Sequence, residues 1–182
     1  MSVRLREFIK AVRGAKTQAE EKQLFLKEKG SIHESFLKNE GQHRARNIAK
    51  LLFINMSGYD TDFGQMQILN LITSEDYLDK KIGYLGLTQL FCENSEVLML
   101  ATHSLRKDLD SSNQYVVHLA LVALSEICTS DMCLALAPLL SSLLKKNNAY
   151  LRKQATLAAT RVVRKCPDNA SLFAERIDLL LK

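Results

Sequence analysis

Across 182 residues, 47% of side chains are hydrophobic and 25% charged, a balance that suits a globular chain with one sizeable core or a run of stacked repeats. Two prolines and seven glycines leave room for long helices and argue against disorder, no apolar run nears the roughly 20 residues of a membrane-spanning helix, and the charged start Met1-Ser2-Val3-Arg4-Leu5-Arg6-Glu7 lacks the apolar centre of a secretory leader. The net charge of +5 sits at one end, because positions 1–50 hold 12 Lys/Arg against 6 Asp/Glu while the remainder holds 13 against 14; this points to an acidic partner there (lipid headgroups, an acidic peptide or nucleic acid) or to a solvated basic surface.

In chain order, Leu5, Phe8, Ile9 and Val12 form an i, i+3, i+4, i+7 stripe that predicts a helix over 3–13, with Gly14 as a left-handed cap. Thr17-Gln18-Ala19-Glu20 reads as a capping box opening a second helix. That helix is highly charged, with Leu24, Phe25 and Ile32 as its anchors, so it is expected to touch something along a narrow seam, a partner outside the chain included. After the break at Asn39-Glu40-Gly41, a helix over 43–56 carries Ile48, Ala49, Leu51, Leu52 and Ile54 as a nearly fully buried set and stops at Gly58. Asp62 with Gln65 is expected to start the next helix, bearing Met66, Ile68, Leu69 and Ile72. Helices over 76–91, 96–109, 112–128, 131–145, 149–165 and 168–181 follow, separated by short polar breaks that force antiparallel neighbours.

A period runs through this series. Gly83 and Gly86 place two small residues three positions apart, which clears one helix face for a close neighbour. Ala120 and Ala123 repeat the pair 37 residues later, and Ala155 and Ala158 repeat it after a further 35. Such a period is the mark of stacked helical hairpins. The expected fold is all-α, a HEAT/armadillo-like helical-repeat solenoid spanning 1–182 without an internal domain boundary. An apolar series reaching Leu181 suggests a chain cut from something longer, since solenoids normally finish on a polar face.

Reactive chemistry has little to stand on. Cys92, Cys128, Cys133 and Cys166 fall within apolar helical patterns without C-x-x-C spacing, and are expected as small core residues in a reducing compartment. His33, His43, His103 and His118 show no metal-ligand or triad spacing. No phosphate loop or nucleophile elbow is written in the sequence. The expectation is no catalytic residue, no metal and no cofactor. Arg44, Arg46 and Lys50 open and line one helix, where free N–H groups and the macrodipole already favour an anion, so a phosphate site is one reading and solvated helix-start residues the other. Arg13, beside Gly14, reads either as a partner of the helix dipole or as a clamp for a peptide carboxylate. Nucleic acid is not expected, because the repeat-equivalent positions 83, 120 and 155 are small packing residues and aromatics do not interleave with arginines.

Taken together, Arg4-Leu5-Arg6-Glu7-Phe8-Ile9, Arg13-Gly14-Ala15-Lys16-Thr17-Gln18-Ala19-Glu20-Glu21, Phe63-Gly64-Gln65, Asp79-Lys80-Lys81-Ile82-Gly83-Tyr84-Leu85-Gly86 and Tyr150-Leu151-Arg152-Lys153-Gln154-Ala155 resemble the N-terminal trunk of the gamma-adaptins. The resemblance covers the whole chain in order. It implies a large-subunit fragment of the trans-Golgi and endosomal clathrin adaptor, a scaffold in coated-vesicle formation and cargo sorting. The partners it implies are a small sigma-type subunit, other adaptor subunits where the chain is longer, an Arf-family GTPase and an anionic phosphoinositide surface. The implied location is cytoplasmic, peripheral on trans-Golgi and endosomal membranes and on clathrin-coated vesicles. Arg13 matches the family position that receives the acidic residue of a dileucine cargo signal, and Arg44, Arg46 and Lys50 fall on a stretch that binds phosphoinositide in the alpha relative. The sigma-type subunit is expected along the seam of the helix over 17–37. The alternative is a free-standing helical-repeat scaffold for another acidic partner, a transport receptor or an RNA.

Overall fold

The structure is a computed structural model that describes residues 3–38, 41–91 and 97–181. Ten α-helices occur among them: α1 (Leu5–Arg13), α2 (Gln18–Leu37), α3 (Arg44–Met56), α4 (Gln65–Ile72), α5 (Tyr77–Leu90), α6 (Leu98–Leu109), α7 (Gln114–Ile127), α8 (Ser130–Leu143), α9 (Ala149–Lys165) and α10 (Ala170–Leu181). One-turn 3₁₀ helices, Gly41–His43 and Pro167–Asn169, precede α3 and α10. Among the described residues there is no strand, and the fold is the all-α repeat of helix hairpins that the small-residue period implies. Packing groups the chain into two units, one ending at Leu90 and one beginning at Phe91.

In the first unit, an aromatic cluster fastens α1 and α2 to α3. Phe8 meets Phe25 and Phe53 edge-on at 5.7 Å each, and Phe25 lies 4.4 Å from Tyr59. Edge and offset geometries align ring quadrupoles and add to the gain from burial. Ile48, Leu51 and Ile54 are wholly buried on α3. The chain then turns at Gly58, whose φ of +87° belongs to the left-handed region.

Two helix starts and stops differ from expectation. Gly14 sits at φ −86°, so α1 closes with ordinary right-handed turns, Gly14 N–H donating to the carbonyls of Lys10 and Ala11. Asp62 does not cap α4. Gly64 does so at φ +96°, with Leu51, Phe36 and Ile48 side chains 3.0–3.5 Å from where a Cβ would stand. Gln65 instead donates its side-chain amide to the Asp62 carbonyl at 3.2 Å. At α2, Thr17 Oγ1 accepts from Glu20 N–H as expected (3.2 Å), while the Glu20 carboxylate reaches one residue further back, to Lys16 N–H at 2.9 Å.

The α5 helix lies tightly on α4. A Cβ on Gly83 would stand 2.8 Å from the Ile72 backbone nitrogen, and one on Gly86 would stand 3.0 Å from the Ile68 side chain. Lys80 completes this contact by donating its ammonium to the Ile72 carbonyl at 2.6 Å, at the negative end of the α4 dipole.

In the second unit, α9 packs on α7 and α8, and the repeated alanines lie in its core. Ala120, Ala123, Ala155 and Ala158 are at most 1% exposed. Asn113, Thr129 and Asn148 cap α7, α8 and α9 through side-chain oxygens. Cys128 and Cys133 are buried free thiols with Sγ atoms 3.1 Å apart, and Cys166 is half-buried. Burial pushes the Cys128 and Cys133 thiols up from their ordinary range, which keeps them protonated and poorly nucleophilic. Cys92 lies outside the described residues.

Candidate interaction surfaces

Arg13 is the last residue of α1 and is exposed, with Lys10 in the same final turn. Next to it, Gly14, Glu20, Leu24 and Lys27 line a cleft of about 450 Å³ between the end of α1 and the start of α2. The lining sets Leu24 and two alanines beside the Lys27 ammonium and the Glu20 carboxylate.

Arg44 and Arg46 occupy the first turn of α3, and no acidic residue shares that turn. Arg44 Nε donates to the Gln67 side-chain oxygen at 3.0 Å, tying the guanidinium to α4. Arg46 is half-buried, and its Nε is shielded without a hydrogen-bond partner. Cations at a helix N-terminus oppose the macrodipole, so an anion bound there relieves the dipole repulsion.

Lys50 does not join them. It is wholly buried, and its ammonium meets the Glu28 carboxylate of α2 at 2.5 Å. A headgroup has no route to this charge, so Lys50 belongs to the core and is withdrawn from the anion site. The expectation that the α2 seam faces outward is corrected for the same reason. Phe25, Glu28, Ile32 and Ser35 are its buried residues, and they face α1 and α3. Asn47 of α3 donates its amide to Ser35 Oγ at 3.0 Å, one turn from the Glu28–Lys50 pair. The seam is therefore a ladder of apolar and polar rungs filled from within the chain. The signal was present in the sequence: Glu28 lies between Phe25 and Ile32 at i, i+3, i+7, and Lys50 lies beside Leu51 between Asn47 and Ile54 at the same spacing.

The opposite face of α2 is the one left open. Leu26 and Leu37 are 59% and 75% exposed, with Gly30 and His33 between them at helical spacing. A Cβ on Gly30 would meet nothing within 4 Å. Glycine inside a helix costs about 1 kcal/mol relative to alanine, and no neighbour among the described residues calls for it. Below Leu37, His33, Phe36, Phe63 and Met66 line a second cleft. Among the described residues, no three His, Cys, Asp or Glu side chains gather as a metal site, and no helix is long and apolar enough to cross a membrane.

The family model described as the adaptin N terminal region matches residues 21–182. AP-1 complex subunit gamma-1 of Arabidopsis thaliana is 48% identical over 179 residues, which is 98% of this chain and 20% of that protein. AP-1 complex subunit gamma of Dictyostelium discoideum is 45% identical over 181 residues, covering 100% and 20%. In Homo sapiens, AP-1 complex subunit gamma-like 2 is 42% identical over 172 residues, covering 94% and 22%. The chain thus spans about a fifth of the length of these curated relatives. Among solved structures, a homology model of the full-length AP-3 complex in an intermediate open conformation matches 75% of this chain and 25% of its own chain, at 30% identity and a TM-score of 0.66.

Proposed function

Given that the chain belongs to the adaptin N-terminal family, we propose that it acts as a non-enzymatic scaffold, the leading segment of a clathrin-adaptor large subunit in vesicle formation and cargo sorting between trans-Golgi and endosomes. The observation that carries this reading is similarity to AP-1 gamma subunits along 98% of the chain at 48% identity. The geometry supports three roles. A small sigma-type subunit docks on the outward face of α2, where Leu26 and Leu37 offer apolar anchors and Gly30 lets a second backbone come close. Arg13 receives the acidic residue of a dileucine signal at the rim of the cleft beside Leu24. Arg44 and Arg46 receive an anionic phosphoinositide headgroup at the start of α3. Other adaptor subunits and an Arf-family GTPase complete the assembly on the cytoplasmic side of the membrane.

Two measurements test the roles separately. In the presence of sigma, Arg13→Glu lowers affinity for an acidic dileucine peptide at least tenfold by fluorescence anisotropy; unchanged affinity removes the cargo role. Arg44→Ala with Arg46→Ala reduces sedimentation with phosphoinositide vesicles, and the loss grows at low salt. Lys50→Ala is a poor substitute for that pair, because it acts through the core.

A further inference from the structure

Three thiols that the scaffold role leaves unused converge where α7, α8 and α9 meet. Cys128 caps the end of α7, Cys133 is the fourth residue of α8, and Cys166 caps the end of α9. In an unbroken helix, positions five apart face directions about 140° apart, and their side chains do not meet. Here the backbone at Cys128 is extended (φ −67°, ψ 115°) and Thr129 caps a new helix, so the chain doubles back. That turn sets the Cys128 and Cys133 Sγ atoms 3.1 Å apart. A disulfide holds its sulfurs at about 2.05 Å, so about 1 Å of travel separates the pair from a bond.

Cys128 and Cys133 are both 0% exposed, whereas Cys166 is half-buried and reaches solvent. The Cys166 Sγ donates to the Ser130 carbonyl at the start of α8, at 4.0 Å. In return, Cys133 Sγ donates to the Val162 carbonyl near the end of α9, at 3.8 Å. Burial first, and then the neighbouring Cys128 and Cys166 thiols, keep Cys133 protonated. A thiol held that way is a slow first nucleophile, so an oxidant from solvent meets Cys166 before the buried pair.

We propose that Cys166, Cys133 and Cys128 form a thiol relay that a hydroperoxide oxidises to a reversible Cys128–Cys133 disulfide. With hydrogen peroxide, the Cys166 thiolate attacks one peroxide oxygen. An S–O bond forms, the O–O bond breaks, and the departing oxygen takes up the Cys166 proton and leaves as water. Cys133 then attacks the sulfenic sulfur of Cys166; an S–S bond forms, the S–O bond breaks, and the hydroxyl leaves with the Cys133 proton as a second water. Cys128 next attacks the Cys133 sulfur, the Cys133–Cys166 bond breaks, and the Cys128 proton passes to Cys166. In sum, two thiols surrender two hydrogens to one peroxide, and a dithiol reductant reverses the change. The bond closes across the α7–α8 turn and removes the S–H that Cys133 donates to α9. Within a reducing compartment, such a disulfide is transient and signals oxidant. The relay lies in the second unit and does not depend on the surfaces assigned to α1–α3.

Treatment of the full chain with hydrogen peroxide, alkylation in denaturant and tryptic mass mapping test it. Cys128 and Cys133 share the tryptic peptide 108–145, while Cys166 falls on 166–176 and Cys92 on 82–106. The expected result is a 108–145 peptide lighter by about 2 Da that takes up no alkylating agent, with Cys166 still alkylated and both thiols of the pair recovered after dithiothreitol. Cys166→Ser should slow closure at least tenfold. Cys128→Ala should stop the relay one step early, as a cross-link between 108–145 and 166–176. Two alkylated thiols in 108–145 after oxidation overturn the proposal. So does closure at the same rate in the parent chain and Cys166→Ser, or a parent chain that accumulates only sulfinic acid at Cys166 or only the cross-link. The parent map decides the end product whether or not a variant folds.

Discussion

Two helix contacts in the first unit do the same mechanical job by opposite means. The α2–α3 seam is polar at its centre, with Glu28 on Lys50 and Ser35 on Asn47 set among Phe25 and Ile32. The α4–α5 contact is set by volume, with Gly83 and Gly86 admitting the Ile72 backbone and the Ile68 side chain. Apart from the Lys80 bond to the Ile72 carbonyl at its end, a small-residue contact is tight but says little about sliding by a turn. A buried ion pair with an amide–hydroxyl rung beside it has only one register in which every group is satisfied. The difference assigns each contact its own failure: the seam cannot lose a partner, and the glycine contact cannot gain an atom.

That contrast can be broken in graded steps by denaturant unfolding of the full chain. Lys50→Met leaves the Glu28 carboxylate buried and unpaired and should cost about 3–5 kcal/mol, most of it returned when Glu28→Leu is added. If the single variant loses little and the double variant gains nothing, the pair is not buried. Gly83→Ala should cost about 2–3 kcal/mol, since its methyl would press on backbone that cannot swing aside. Asn47→Ala removes the amide that donates to Ser35 Oγ, with less at stake, and should cost about 1–2 kcal/mol. Gly86→Ala should cost about 1 kcal/mol, because the Ile68 side chain can rotate away. Equal losses at positions 83 and 86 would contradict the distinction between backbone and side-chain neighbours.

The smallest effect belongs to the second unit and depends on pH. Burial lowers the His118 pKa below the ordinary imidazole value. The unfolded chain therefore takes up a proton first, and stability is lost as pH falls through that ordinary value toward the folded one. Between pH 7 and pH 5, the thermal midpoint of the parent chain should fall slightly more than that of His118→Gln. A parallel fall in the two chains would show that His118 is not shielded.

The helix series was readable in the sequence because its signals are local: apolar stripes, Thr17 as a cap, short polar breaks, and small residues recurring at a fixed offset. The end of α9 at Lys165 follows from that reading without adjustment. The local pattern misleads where a distant neighbour decides the matter. Gly64 replaces Asp62 at the start of α4 because side chains of α2 and α3 crowd its Cα, which no local rule contains. Lys50 looked like a surface cation because its partner lies 22 residues away. The α2 seam was correctly seen as narrow and wrongly left for an outside partner, since a carboxylate in an apolar stripe identifies an inward face only when its counter-charge is found. Arg13, Arg44 and Arg46 were legible as cations at helix ends, and Gly30 was legible only once the space around it was known.

The proposed scaffold role requires packed helices that offer their outer faces to another polypeptide. Native mass spectrometry of the full chain co-expressed with a small sigma-type adaptor subunit tests this most directly. A one-to-one complex, lost on Leu26→Asp with Leu37→Asp while the chain keeps its helical circular dichroism and melting point, is the predicted result. A well-folded chain that remains uncomplexed, or a complex indifferent to both substitutions, would contradict it.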